Sequence, residues 1–138
     1  MRAAPGWPGA APDPSGWPRP KGYSNGIVAK GNIIFISGMV GWNDKEEFES
    51  NDFSAQALQT FRNIVRVLNE ADAGPENIVR MTWYLRSVEE YNASLKDLGK
   101  AYRDVLGKVY PAMSAVEVSR LIEKDAKLEI EVTAVIES

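Results

Sequence analysis

Hydrophobic and polar positions alternate most regularly near the end of the chain. There Leu128, Ile130, Val132, Ala134 and Ile136 interleave with Lys127, Glu129, Glu131 and Thr133. Successive strand side chains point to opposite faces, so this pattern predicts a long strand with one apolar and one charged face. Ile33 to Met39, β-branched and apolar, predicts a second strand that ends at Gly38 and Gly41. Tyr23 to Val28, Ile78 to Leu85 and Ala115 to Val118 predict further strands, with a turn at Gly31-Asn32. Between them the period lengthens. Phe53, Ala57, Leu58, Phe61, Val65 and Leu68 recur at helical spacing after an N-cap at Asn51 or Asp52. This helix is expected to run to about Ala73, where Gly74-Pro75 stops it. A second helix is expected from Glu89 to about Gly107, with Leu95, Leu98, Tyr102, Val105 and Leu106 inward. Two helices on one side of a mixed sheet cover its apolar face. The opposite face combines charges with the apolar run Ile33-Ile34-Phe35-Ile36, which makes it a candidate subunit interface.

Residues 1–20 have a different texture. They hold Pro5, Pro8, Pro12, Pro14, Pro18 and Pro20 and repeat Gly-Trp-Pro at Gly6-Trp7-Pro8 and Gly16-Trp17-Pro18. Each proline lacks an amide donor, so helix and central strand are excluded. The expected organisation is a flexible or polyproline-like tail over 1–20 and one domain over 21–138. A sharper alternative docks Trp17 on the domain or on a neighbouring subunit.

Composition narrows the chemistry. The chain has 138 residues, one domain's worth, and a net charge of -3, which argues against a nucleic-acid partner. No apolar run reaches the roughly 18 residues that suggest a membrane span, so no membrane partner is expected. The N-terminus lacks a signal-like apolar stretch, so the expected location is cytoplasmic. Cysteine and histidine are both absent. Thiolate nucleophiles, disulfides, Ser/His triads and conventional zinc sites are thereby excluded. No metal and no cofactor are expected, and catalysis must draw on carboxylates, Tyr, Ser, Lys, Arg, backbone dipoles or bound water. Phosphate-binding, nucleophile-elbow and dinucleotide-binding motifs are also missing.

Several separate segments carry a likeness in the same order. They are Gly22-Tyr23, Gly31 to Gly38, Gln56 and Asn63, Ile78 to Leu85, Pro111 to Val118, and Lys127 to Val132. Over about residues 20–136 this order resembles the Rid (reactive intermediate deaminase, YjgF-type) family. The resemblance implies an α+β, chorismate-mutase-like fold and a homotrimer whose sheets form a central barrel. It also implies small-molecule ligand pockets at the subunit interfaces. Well-known members hydrolyse enamines and imines to a keto acid and ammonia. That reaction needs an oriented water, a proton and a substrate anchor, with no metal or cofactor.

Residue by residue, the resemblance implies that Tyr23 is the pocket tyrosine, Ser37 the serine beside the ligand, and Glu129 the holder of the attacking water. Gly38, Trp42, Met113, Ser114 and Ala115 fall at substrate-binding positions. Met113 stands where the family's carboxylate-pairing arginine is typical, Ala115 where a cysteine is usual, and Gly99 where an asparagine is common. A thioether cannot replace a guanidinium fork, so the usual 2-iminoacid is not expected as substrate. Met113 and Trp42 suggest an apolar or aromatic ligand surface, with Arg86 or Arg120 as possible replacement cations. Blander readings stand beside these: Glu129 as a solvated strand charge, Tyr23 and Ser37 as structural residues, Met113 as core filling, and Glu117 as a structural or inter-subunit partner. Two functions are therefore carried forward. One is a cofactor-free, deaminase-like hydrolase of an imine, enamine or related reactive intermediate. The other is a non-catalytic small-ligand-binding or regulatory trimer.

Overall fold

The computed structural model describes residues 2–3 and 9–137, with side chains from residue 12 onward. In chain order the elements are β1 (Arg2–Ala3), β2 (Gly9–Ala11), β3 (Val28–Ala29), β4 (Asn32–Met39) and α1 (Phe53–Glu70). A 3-10 turn at Pro75–Asn77 leads into β5 (Ile78–Leu85). Then come α2 (Val88–Ala93), α3 (Leu95–Val105), β6 (Ala112–Glu117) and β7 (Leu128–Ile136).

The main sheet has the order β4-β7-β5-β6, antiparallel except for the parallel pair β5–β6. Parallel neighbours need a crossover connection, and α2 and α3 supply it between β5 and β6. The last strand, β7, inserts between β4 and β5, so it lies in the sheet interior. Its apolar set Leu128, Ile130, Val132 and Ala134 is fully buried beneath the helices. Phe61, Ile64 and Leu68 of α1 pack on that face, together with Ile36, Met81 and Leu85. Phe61 meets Trp83 and Tyr102 edge-on at centroid separations of 5.6 and 5.5 Å. The result is an α+β fold with a mixed sheet and all its helices on one face, as the sequence pattern predicts.

Polar side chains tie the first helix down, and Gln56 among them is buried. Asp52 caps α1 by accepting from the Ala55 N–H at 2.9 Å. The Gln56 amide donates to the carbonyls of Ser50 (2.9 Å) and Asp125 (3.0 Å), and its oxygen accepts from the Lys127 N–H at 2.8 Å. Asn63 donates to the carbonyls of Val40 and Trp42, both at 2.9 Å. The helix passes so close to the loop after β4 that a Cβ at Gly41 would overlap the Gln56 backbone.

Several local expectations need correction. The second helix is two, because Ser94 leaves helical geometry (φ -109°, ψ 6°) and its N–H turns back to the Tyr91 carbonyl. The Ser94 hydroxyl caps nothing, so the bend lies in the backbone itself. Leu95, expected inward, is exposed as a result of that bend. The strand expected at Tyr23 to Val28 shrinks to Val28–Ala29 plus a single bridge between Ser24 and Ala112. Ser24 instead pairs with the segment just before β6: its N–H donates to the Pro111 carbonyl and its hydroxyl to the Tyr110 carbonyl at 2.5 Å. The strand begun at Ala115 instead starts at Ala112 and ends at Glu117.

In the N-terminal stretch, Gly9–Ala11 pairs antiparallel with both Arg2–Ala3 and Val28–Ala29 in a small separate sheet. Gly-Ala-Ala is proline-free, so it can donate where its neighbours cannot. Trp17 is 62% exposed in the chain. Pro5, Gly6, Trp7 and Pro8 lie outside the described residues. Among the described residues no helix is long and apolar enough to cross a membrane.

Candidate functional site

The strand register divides the expected site residues between the two faces of the sheet. In β6, Met113 pairs with Met81 and Ala115 with Trp83, so these two share the helix-covered face. Ser114 pairs with Thr82 and Val116 with Tyr84, on the open face. Glu129 pairs with Tyr84 and Glu131 with Thr82, which puts both carboxylates on the open face as well.

On the helix side a cavity of about 530 Å³ opens between β6, the bend joining α2 to α3, and the segment around Tyr23. Tyr23 and Met113, expected together from the sequence, both line it, and so does Gly99. Most of the remaining wall comes from residues that the sequence pattern does not mark as candidates. Tyr91, Tyr102 and Tyr110 join Tyr23, so four of the chain's five tyrosines face one space. Trp83 lies beside them, 6.1 Å from the Tyr91 ring. Its indole N–H is buried and has no acceptor among the described residues. The Tyr102 hydroxyl donates to the Val109 carbonyl at 2.8 Å. Burial first, then the neighbouring Tyr110, hold its proton well above the ordinary tyrosine range. Arg103 was also missed. A Cβ at Gly99 would stand 3.2 Å from Arg103 Nη1, so the guanidinium lies over that glycine, one helical turn back. Helical side chains lean toward the N-terminus, and the spacing of four residues was the available signal.

On the open face a second hollow of about 470 Å³ is lined by Ser37, Phe35, Arg80, Thr82, Glu131 and Thr133, among others. The Tyr84 hydroxyl donates to Glu131 Oε1 at 3.1 Å. That bond and the carboxylate's charge raise the tyrosine's pKa. Beside this hollow β4 is irregular between Ile36 and Met39. There Gly38 comes so close to Glu129 that a Cβ would overlap the carboxylate. Ser37, Gly38 and Glu129 therefore form one group, and Tyr23 and Met113 another.

The remaining candidates stand apart from both. Trp42 rests against Phe48 with ring centroids 5.7 Å apart and lines neither cavity. The Glu117 carboxylate accepts from the Val88 N–H at 2.9 Å, a structural anchor at the start of α2. Of the proposed substitute cations, the Arg86 guanidinium is held by the carbonyls of Lys124 and Ala126. Arg120 lines neither cavity. No cluster of three or more carboxylate, cysteine or histidine side chains able to hold a metal occurs among the described residues.

A four-stranded mixed sheet covered on one face only, with polar groups on its open side and an aromatic cavity at its edge, defines an α+β domain with a candidate ligand cavity. Comparison with known proteins carries this further. The family model described as "Endoribonuclease L-PSP" matches residues 17–136. The 2-iminobutanoate/2-iminopropanoate deaminase of Escherichia coli K12 is 33% identical over 108 residues, covering 78% of this chain and 83% of that protein. A RutC family protein from Leuconostoc mesenteroides is 36% identical over 114 residues, covering 81% and 85%. The crystal structure of YyfB, a Rid-family protein of Yersinia pestis, superposes with a TM-score of 0.80 at 27% identity, covering 94% of this chain and 99% of that one. The chain belongs to the endoribonuclease L-PSP family, the group that includes the Rid, YjgF and RutC proteins.

Proposed function

We propose that this protein is a cofactor-free, deaminase-like hydrolase of an imine or enamine other than the small 2-iminoacids, and that it works as a homotrimer. Membership of a family whose relatives include a named iminoacid deaminase supports the reaction class. The observation that carries the reading is the division of the site within one chain. Tyr23 and Met113 line the edge cavity, while Ser37 and Glu129 stand on the open face. In the proposed trimer the open face of a second copy lies against the β6 edge of the first, so that its Ser37 and Glu129 meet the first copy's cavity. The open face offers apolar surface for such docking: Phe35 is 79% exposed, Ile33 58% and Val116 46%.

In the completed site each residue has a separate task. The imine carbon is electrophilic once its nitrogen is protonated, and a tyrosine hydroxyl such as that of Tyr23 can pass that proton. The Glu129 carboxylate orients a water and takes its proton as the water adds to the carbon. Collapse of the carbinolamine expels ammonia and leaves the carbonyl. Met113 offers a polarisable apolar contact and no charge, so a small substrate gripped only by its carboxylate lacks its partner on β6.

The test is an assay with 2-iminopropanoate generated in place. Wild type should turn it over slowly. Met113→Arg should raise the rate about tenfold to a hundredfold, the value of about 1.5–3 kcal/mol for a charge-assisted bond. Adding Glu129→Gln should abolish the gain while leaving pyruvate binding by calorimetry in place. Wild-type turnover at the rate of an arginine-bearing relative would overturn the reading of Met113.

The non-catalytic alternative also has an observation in its favour. Among the described residues, the cavity's own lining contains no carboxylate to activate water. A chain that bound ligand but released no ammonia from any imine would establish that alternative.

A further inference from the structure

The cavity beside Met113 carries a charge pattern unlike the rest of the chain. The whole protein is acidic, with a net charge of -3. Among the described residues, the lining of this cavity includes Lys21 and Arg103 and no aspartate or glutamate. Arg103 has no ion pair or side-chain hydrogen bond among the described residues, whereas Lys100, in the same helix, is paired with Asp104 at 2.8 Å. A guanidinium left unpaired beside a concave site is a ready anion partner, and its planar fork fits a carboxylate through two parallel bonds.

The neighbouring surface sets the rest of the ligand. Tyr23, Tyr91, Tyr102 and Tyr110 surround the space, Trp83 adds an indole, and Met113 adds a thioether. Aromatic rings and sulfur favour an aromatic guest, by edge or offset contacts and by sulfur–ring contact. The buried Trp83 N–H is a further donor without a partner, suited to an oxygen near the ring-bearing end. Gly99 leaves room for the guanidinium: a Cβ there would stand 3.2 Å from Arg103 Nη1, a few tenths of an ångström inside ordinary contact.

We propose that this cavity binds aryl-substituted carboxylates, with Arg103 as the carboxylate anchor and the tyrosine cluster as the ring pocket. The cation is thus supplied from helix α3 instead of strand β6, and the guest is larger than a three- or four-carbon acid. The inference rests on reading this cavity as the ligand pocket of the proposed hydrolase. It requires neither turnover nor a second copy.

The experiment is calorimetry on the full chain with phenylpyruvate, pyruvate and benzyl methyl ketone, in which a methyl replaces the carboxylate of phenylpyruvate. Phenylpyruvate should bind best, and pyruvate at least about tenfold more weakly. Arg103→Gln should weaken phenylpyruvate about tenfold or more and leave the neutral ketone within about twofold. Gly99→Asn should weaken phenylpyruvate by displacing the guanidinium, and Lys108→Gln, a nearby charge outside the cavity, should not. Failure of wild type to bind phenylpyruvate would overturn the proposal, as would equal affinity for acid and ketone or an unchanged Arg103→Gln. Phenylpyruvate binding without ammonia release from any imine would leave this inference standing and remove the hydrolase. Imine hydrolysis indifferent to Arg103 would do the reverse.

Discussion

Tyr102 shows how one buried hydroxyl can serve both the core and the cavity. Its ring packs edge-on against Phe61, while its O–H donates to the Val109 carbonyl at 2.8 Å. Burial disfavours the phenolate, so the folded state keeps this proton at pH values where an unfolded tyrosine, with its pKa of about 10, has lost it. The sign follows from linkage. With the folded pKa raised, the contribution is complete below about pH 10 and declines as pH climbs beyond it, because the unfolded state then binds fewer protons. Tyr102→Phe should cost about 1 kcal/mol at neutral pH, measured by urea unfolding. The gap between the two proteins should narrow above about pH 10. A gap constant through the alkaline range would contradict the burial argument.

Among the elements, α1 is held less by its helix propensity than by what it is stitched to. Gln56 is the clearest case. Its amide spans the chain before α1 and the turn before β7, and both ends of the amide are used. Gln56→Leu keeps roughly the volume but leaves the carbonyls of Ser50 and Asp125 and the Lys127 N–H without this partner. Leaving buried polar groups unpaired costs about 1–3 kcal/mol each, so a loss of about 3 kcal/mol is expected from urea midpoints. A loss below about 1 kcal/mol would mean that those groups find water instead. The α2–α3 bend works in the opposite way. It moves Leu95 out of the core and helps to shape the wall of the edge cavity.

For the whole molecule the open sheet face is where the proposed trimer would form. One layer of helices covers one face of the sheet, and Phe35, Ile33 and Val116 stand exposed on the other, the surface the proposed trimer would bury. Light scattering across a dilution series should give three times the chain mass. Phe35→Lys should shift the protein to monomer while leaving its far-ultraviolet circular dichroism unchanged, because Phe35 makes little contact within its own chain. A monomer mass for wild type at every concentration would remove the completed site from the proposed function. It would leave the edge cavity as a site of its own.

What the sequence determined by itself is whatever local periodicity can express. The alternation from Leu128 to Ile136 already says which side of β7 is buried, because strand side chains reverse at every residue. The helical spacing from Phe53 to Leu68 and the cap at Asp52 locate α1 almost to its ends. Gln56 and Asn63 were legible as marks of a family, but their role was not: each reaches carbonyls distant in sequence. Tyr23 and Met113 were legible as candidates, but the wall of tyrosines they share with Arg103 was not. Only the strand order put Tyr23 and Met113 on one side of the sheet and Ser37 and Glu129 on the other. Register between distant strands is settled by pairing across the sheet, which no local pattern encodes. Arg103 was hidden for a similar reason. A charged residue on a helix reads as solvent-facing until tertiary packing sets a cavity beside it and a glycine beneath it.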